Sequence, residues 1–227
     1  SSLVGASKEY LCTETLHLAS RLDRETSGVV LLAKNRKSAS YWQKGIEHKT
    51  VRRSYLAILE GTITEQKSVS TFLGNDPHSE VYVKQRVTEK SHKSKYAETI
   101  FFPLLSRDGY TFCSVATLTG RKHQIRVHAQ WIGCPLVGEK LYGKDENIYL
   151  EFCSTGWRSE WAEKLGMHRQ ALHGRCLTDT QSHHQFVSRL PDDLQDFLSS
   201  KMKLQSQELN DLVDRADQEF RSCLISN

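Results

Sequence analysis

Arg21-Leu22-Asp23-Arg24-Glu25-Thr26-Ser27-Gly28 is the first stretch of the chain equipped for chemistry. A carboxylate stands between two arginines just ahead of an apolar run, and cationic neighbours favour its ionised form. An ionised carboxylate can act as a nucleophile. The structural alternative is a salt-bridged turn closed by the side chains of Thr26 and Ser27, and the octet alone is compatible with both. Tyr55 follows Arg52-Arg53 at the start of an apolar run. A ring there either packs in the core, the default, or offers a flat face to a base, a stack worth about 1–3 kcal/mol. The third cluster, Thr119 to His128, reads TGRKHQIRVH. Donors crowded at a helix start suit a phosphate. A merely exposed basic helix accounts for the arginines and Lys122, but not for Gly120, Gln124 and two histidines in so short a span.

These clusters need elements to hold them. Gly28 to Ala33 is a short apolar run and predicts a buried strand. Arg36 to His48 places Ala39, Trp42 and Ile46 at helical spacing, which predicts an amphipathic helix. Tyr55 to Leu59, closed by Gly61, predicts a strand. Val81 to Val87 alternates and predicts a half-exposed one. Lys95 to Phe102 and Tyr110 to Leu118 predict two strands joined through Ser106-Arg107-Asp108-Gly109, where Asp-Gly signals a hairpin. Thr119 is expected to cap a helix running to Trp131. Ile125, Ala129 and Ile132 would face inward, with Arg126 on the other side beside Lys122 and Gln130. Gly133 and Pro135 end that helix, and Cys134 to Gly143 reads as loop. Weak strand signals lie near Tyr149 and from Leu172 to Leu177. Pro191-Asp192-Asp193 opens a helix. Leu209, Leu212, Val213, Ala216, Phe220 and Leu224 form one apolar stripe, most simply docked on the main body. Hairpin-linked strands with interspersed helices predict an α+β fold with a mixed, mainly antiparallel central sheet.

Composition narrows the function. Hydrophobic residues make up 38% and charged ones 26% of the 227, the profile of a globular protein able to bury a core without staples. The six cysteines form no CxxC pair, which argues against a zinc or thioredoxin-like site and for free thiols. No apolar run approaches the roughly 18 residues of a membrane span. Ser1 to Tyr10 lacks a signal-peptide core, so a cytoplasmic protein is expected. Net charge is only +4, but basic residues cluster at 34–37, 48–53, 84–95 and 121–123, while acidic residues thicken after Asp192. Segregated positive charge suits a polyanion partner.

Taken together, the clusters resemble the RluA family of RNA pseudouridine synthases. Ser20 to Gly28 matches HRLDxxTSG. Arg53, Tyr55, Ala57 and Gly61 match the second family element, and Thr119 to His128 matches TGRxHQIRxH at every fixed position. The pattern continues through Gly133, Pro135, Gly138, Tyr142 and Gly143, and more weakly through Arg169 to His173 and Leu190-Pro191. The resemblance thus covers about Leu16 to Leu198. Three ordered motifs at compatible spacing are far more specific than any one.

The resemblance implies a pseudouridine synthase fold with a catalytic cleft. It divides the chain into a catalytic domain, residues 1–198, and a helical extension, 199–227. Only 22 residues precede Asp23, fewer than family members usually carry, so either a fragment truncated at its N-terminus or a fold with a reduced N-terminal part is expected. It implies isomerisation of uridine to pseudouridine in structured tRNA or rRNA. Asp23 is then the nucleophile, Tyr55 the ring stacked on the target uracil, and Arg126 the partner of the carboxylate. Arg21 enters the RNA stack where the uridine leaves, and Leu172 lines the pocket. Arg53, Arg121, Lys122, His123 and Gln124 join them as RNA-binding residues. The reaction is redox neutral and uses no group donor, so neither nucleotide cofactor nor metal is expected, and a monomer is. Asp23 either adds to the uracil ring or assists departure at the ribose. Ser20 replaces the family's His, Arg53 its commoner Lys and Glu139 its Asp; none of the three is expected to touch the catalytic side chains. Two other classes compete: a catalytically silent RNA-binding or RNA-folding module on the same scaffold, and an assembly protein using the terminal helix.

Overall fold

The structure is a computed structural model that describes residues 2–225, with the side chains of Leu224 and Ile225 outside the described set. The chain opens with α1 (Leu3–Tyr10), then three two-residue strands, β1 (His17–Leu18), β2 (Ser27–Gly28) and β3 (Leu32–Ala33). Next come α2 (Arg36–Glu47), β4 (Val51–Glu60), β5 (Lys67–Asn75), β6 (Gln85–Thr88), β7 (Lys95–Arg107) and β8 (Tyr110–Thr117). Helices α3 (Gln124–Trp131), α4 (Asn147–Thr155) and α5 (Trp161–Leu165) follow. The chain then returns to the sheet as β9 (Leu172–Asp179) and β10 (Gln185–Val187), and closes with α6 (Asp192–Lys201) and α7 (Ser206–Ile225).

An eight-stranded sheet runs β10-β9-β4-β8-β7-β5-β6, with β2 added to β9. Every neighbour on the path is antiparallel; only β2 and β9 run parallel. The expected mixed, mainly antiparallel α+β architecture is therefore present. Central strands read as continuous apolar runs because both sheet faces are covered. On β4, Leu56 and Ile58 pack with Leu194, Leu198 and Ala216 of α6 and α7. The alternate residues Tyr55, Ala57 and Leu59 pack with Ile125 and Ala129 of α3 and with Leu172. Strand alternation alone thus puts Tyr55 on the α3 face. On the opposite face α7 covers Ala116 and Cys176 with Phe220, and Arg175 reaches Asp217 at 2.9 Å. The terminal stripe is docked on the chain's own sheet.

Four expectations fail locally. The run from Gly28 to Ala33 is not one strand but β2 and β3, which leave in different directions: β2 joins β9 and β3 joins β1. The break follows Gly28, at φ 122°, where a Cβ would lie 2.3 Å from the Gly174 carbonyl. Of Val81 to Val87 only the last residues are extended; Val81 to Lys84 is a turn, closed by Lys84 N–H on the Val81 carbonyl at 2.8 Å. The region of Tyr149 is helix α4, not strand. Finally, α3 starts at Gln124, with His123 in the left-handed region at φ 54°, and Thr119 is not its cap. The Asp108-Gly109 turn forms as read, with φ of 53° and 80°, a left-handed pair that suits a tight hairpin.

Candidate active site

A cleft of about 590 Å³ lies on the α3 face. Its walls hold every residue singled out from the sequence: Arg21, Asp23, Arg53, Tyr55, Arg121, Lys122, His123, Gln124, Arg126 and Leu172. Gln43 and Ile46 of α2 complete the rim, a contribution that the helix's own pattern did not signal.

Asp23 sits in the turn before β2, closed by the Thr26 N–H on the Asp23 carbonyl at 3.0 Å. The side chains of Thr26 and Ser27 do not close that turn; they tie it to the neighbouring chain. Gln170 Nε2 donates to Thr26 Oγ1 at 2.8 Å, and Ser27 Oγ lies 2.9 Å from His173 Nδ1. His173 Nε2 lies 3.5 Å from the Ser188 carbonyl, so the ring bridges β2 to the loop after β10. The Gly28–Gly174 approach lets β2 lie flat against β9.

Arg126 is buried, at 6% exposure, not on the solvent side of α3 as expected. Its Nε and Nη2 donate to Glu139 at 2.8 and 2.6 Å, and its Nη1 to Asp23 Oδ2 at 3.2 Å. The Tyr142 ring lies 5.0 Å from the guanidinium carbon. Burial alone disfavours the cation, but the Glu139 carboxylate and then Asp23 outweigh it and hold Arg126 above its ordinary value. Glu139 is fully enclosed, which disfavours its charge. Arg126 and the N–H groups of Leu141 and Tyr142 overcome that penalty and keep its carboxyl below the usual range. Glu139 therefore does touch a catalytic-site side chain, contrary to expectation. The signal was present only as an acid after Gly138 in a loop.

Tyr55 is 8% exposed and shares its apolar cluster with Leu172 and Ile125, so packing and cleft lining coincide in one ring. In β9 a bulge at Arg175 shifts the register against β4 between Ser54 and Tyr55. Gly120 brings its loop onto Arg53: a Cβ there would stand 2.5 Å from Nη2. Arg21, Arg53 and Lys122 have no carboxylate within ion-pair reach among the described residues, so the cleft keeps unpaired positive charge.

Three more members of the third cluster, Gln124, His123 and His128, spend their side-chain bonds inside the protein. Gln124 accepts from Thr119 Oγ1 and Arg121 N–H at 2.7 and 3.0 Å, and donates to the Glu98 carbonyl and Thr99 Oγ1, both at 2.9 Å. It shapes the loop and has little capacity left for a ligand. His123 accepts at Nδ1 from the Tyr142 hydroxyl at 2.6 Å, since that oxygen already accepts the Gln85 N–H. Burial and then Arg126 push its pKa down to about 4, so it is neutral at pH 7. His128, between Thr71 and Thr99 at 2.9 Å each, is likewise lowered to about 4 by burial. Ser20 receives the Leu31 N–H at 2.8 Å and supports the strand ends.

The model of the family described as RNA pseudouridylate synthase matches residues 4–131, more than half of the chain and all three motifs. The chain belongs to that family. It is 35% identical over 185 residues to the uncharacterized RNA pseudouridine synthase YjbO of Bacillus subtilis, an alignment covering 79% of this chain and 57% of YjbO. It is 32% identical over 185 residues to ribosomal large subunit pseudouridine synthase D of Neisseria meningitidis, covering 79% and 46%. The chain thus spans about half the length of the curated relatives it matches. The solved structure of human RNA pseudouridylate synthase domain containing 4 superposes with a TM-score of 0.67 at 24% identity, covering 84% of this chain and 77% of that one. That of domain containing 1 has the same score and identity and covers 94% and 84%. These structures share the fold. No helix among the described residues is long and apolar enough to cross a membrane.

Proposed function

We propose that the protein isomerises specific uridines to pseudouridine within structured RNA, with Asp23 as nucleophile. The observation that carries this reading is the contact of Asp23 with Arg126 at 3.2 Å in a cleft walled by Tyr55. A buried guanidinium held on two nitrogens by Glu139 keeps only its third aimed at Asp23, which holds the carboxylate in a fixed direction. The target base must leave its stack, at a cost of a few kcal/mol. Stacking on Tyr55 and insertion of Arg21 offset that cost. Leu172 closes the apolar side of the base site. Arg53, Arg121 and Lys122 attract the phosphates, while His123 and Gln124 shape the loop that carries them.

Pseudouridine formation breaks a C–N glycosidic bond, turns the uracil and joins its carbon to the same ribose. It consumes no donor, so the reading calls for no cofactor or metal. The relative named for the ribosomal large subunit makes rRNA the first substrate to test, with tRNA second. The reading takes residues 1–198 as the catalytic unit and 199–227 as an extension, although α6 (Asp192–Lys201) crosses that boundary and Met202, Leu204 and Ala216 share a core with Leu194 and Leu198; it takes the protein to be a monomer acting in the cytoplasm.

The test is pseudouridine mapping in rRNA and tRNA transcripts incubated with the protein, beside Asp23→Asn. Product at discrete positions, lost in the variant, is the expected result. Tight RNA binding with no product from any transcript would refute catalysis and leave a silent RNA-binding module.

A further inference from the structure

We infer that Lys140 is a positioning residue: through Glu25 it fixes the turn that presents Asp23. The inference rests on the reading of Asp23 as nucleophile. Lys140 is 1% exposed, an unusual place for an ammonium group. Its Nζ donates to Glu25 Oε1 and Oε2 at 2.8 and 3.0 Å and to the His168 carbonyl at 2.6 Å, which uses all three of its hydrogens. The Phe152 and Trp157 rings lie 4.5 and 5.3 Å from Nζ, and Trp157 stacks on His168 at 4.2 Å. The cation is thus held by α4 and by the loops on either side of α5.

An apolar side chain would fill this space without the desolvation penalty of a buried charge. What the ion pair adds over such a filler is direction. Glu25 lies two residues from Asp23 in the closed turn, and Arg169 Nη1 steadies the Glu25 carbonyl at 3.3 Å. The adjacent Glu139 holds Arg126, which meets Asp23 from the other side. Neighbouring residues of one loop therefore fix the two ends of the Asp23–Arg126 contact, Glu139 the guanidinium and Lys140 the carboxylate. Neither Glu25 nor Lys140 lines the cleft, so both act on position and not on RNA.

The experiment compares Glu25→Gln and Lys140→Met with a surface control, Lys164→Met, whose exposed partner is Asp145. Single-turnover pseudouridine formation, RNA Kd and hydrogen exchange of the Thr26 amide are measured on each. Both clamp variants should lose roughly 10- to 100-fold in rate, the scale expected of an ångström-sized misplacement. Their Kd should stay within about twofold, and the Thr26 amide should exchange faster while β4 amides do not. Glu25→Gln, at a partly exposed position, keeps the test open should Lys140→Met fail to fold. Rates within twofold of the parent, or Kd rising in step with the rate loss, would overturn the inference. Should the parent make no pseudouridine, the catalytic reading fails by itself. Unchanged Thr26 exchange in Glu25→Gln would then refute the clamp separately.

Discussion

Arg126 divides its guanidinium between two acids, and that division decides what a substitution there does. Lysine has the charge but not the planar fork, so it cannot hold two contacts to Glu139 and a third to Asp23. Arg126→Lys is expected to lower single-turnover pseudouridine formation by about 100-fold or more, the scale of a misplaced catalytic group, with RNA Kd nearly unchanged. Rapid-quench assays beside filter binding check this. The sequence displayed Asp23, Tyr55 and Arg126 because motif spacing marks residues by type. It placed Arg126 on the solvent side because an arginine on an amphipathic helix is ordinarily exposed. The buried Glu139, with Asp23, makes an inward arginine tolerable, and Glu139 comes from a loop with no periodicity to betray its direction.

Among the elements, those with a strong local signal formed where expected. The Asp-Gly hairpin and the helix from Arg36 needed only turn chemistry and spacing. The failures were runs whose fate is decided by distant partners. Gly28 to Ala33 splits because Gly28 must meet Gly174, 146 residues away in the chain. The strand signal at Tyr149 lost to a helix whose Ile148 packs with Trp161 and Leu165. The terminal stripe was legible as amphipathic, and its docking face was set by the sheet. Phe220 is 4% exposed against Ala116 and Cys176, on the face opposite the cleft. Phe220→Ala is expected to cost about 3 kcal/mol of stability, as large-to-small core changes do, while leaving the turnover rate intact. Urea melts paired with single-turnover assays test both halves of that statement.

For the molecule as a whole, two buried histidines and one half-buried one set an acid limit. His123, His128 and His173 are each lowered to about 4, in every case by burial first. The unfolded chain binds their protons near pH 6.5, well before the folded one does. Stability is therefore complete above about pH 6.5 and falls as pH drops towards 4, by on the order of several kcal/mol in total. Urea midpoints measured across that window should fall, and His128→Asn should flatten the slope. The cations proposed to meet the phosphates, Arg53, Arg121 and Lys122, have no acid partner among the described residues and set a second global property. Three phosphate contacts on single-stranded RNA give a log Kd against log salt slope of magnitude roughly 2, reduced by about 0.7 in Lys122→Ala. Affinities titrated across a salt series would expose a flat response. Charge clustering along the sequence announced the basic character, but not which cations lack an acid.

The parallel pairing of β2 with β9 also fixes the order in which the molecule can be built. Contacts this far apart along a chain form late, after their loop-closure entropy has been met. During synthesis, residues 20–30 can meet Arg126 once α3 is out, but the partners that fix their turn, from Lys140 to Gly174, emerge only later. A nascent chain therefore displays its cationic residues long before its carboxylate is aligned. The proposed nucleophile is therefore the last part of the site to be set, after nearly all of the sheet is made.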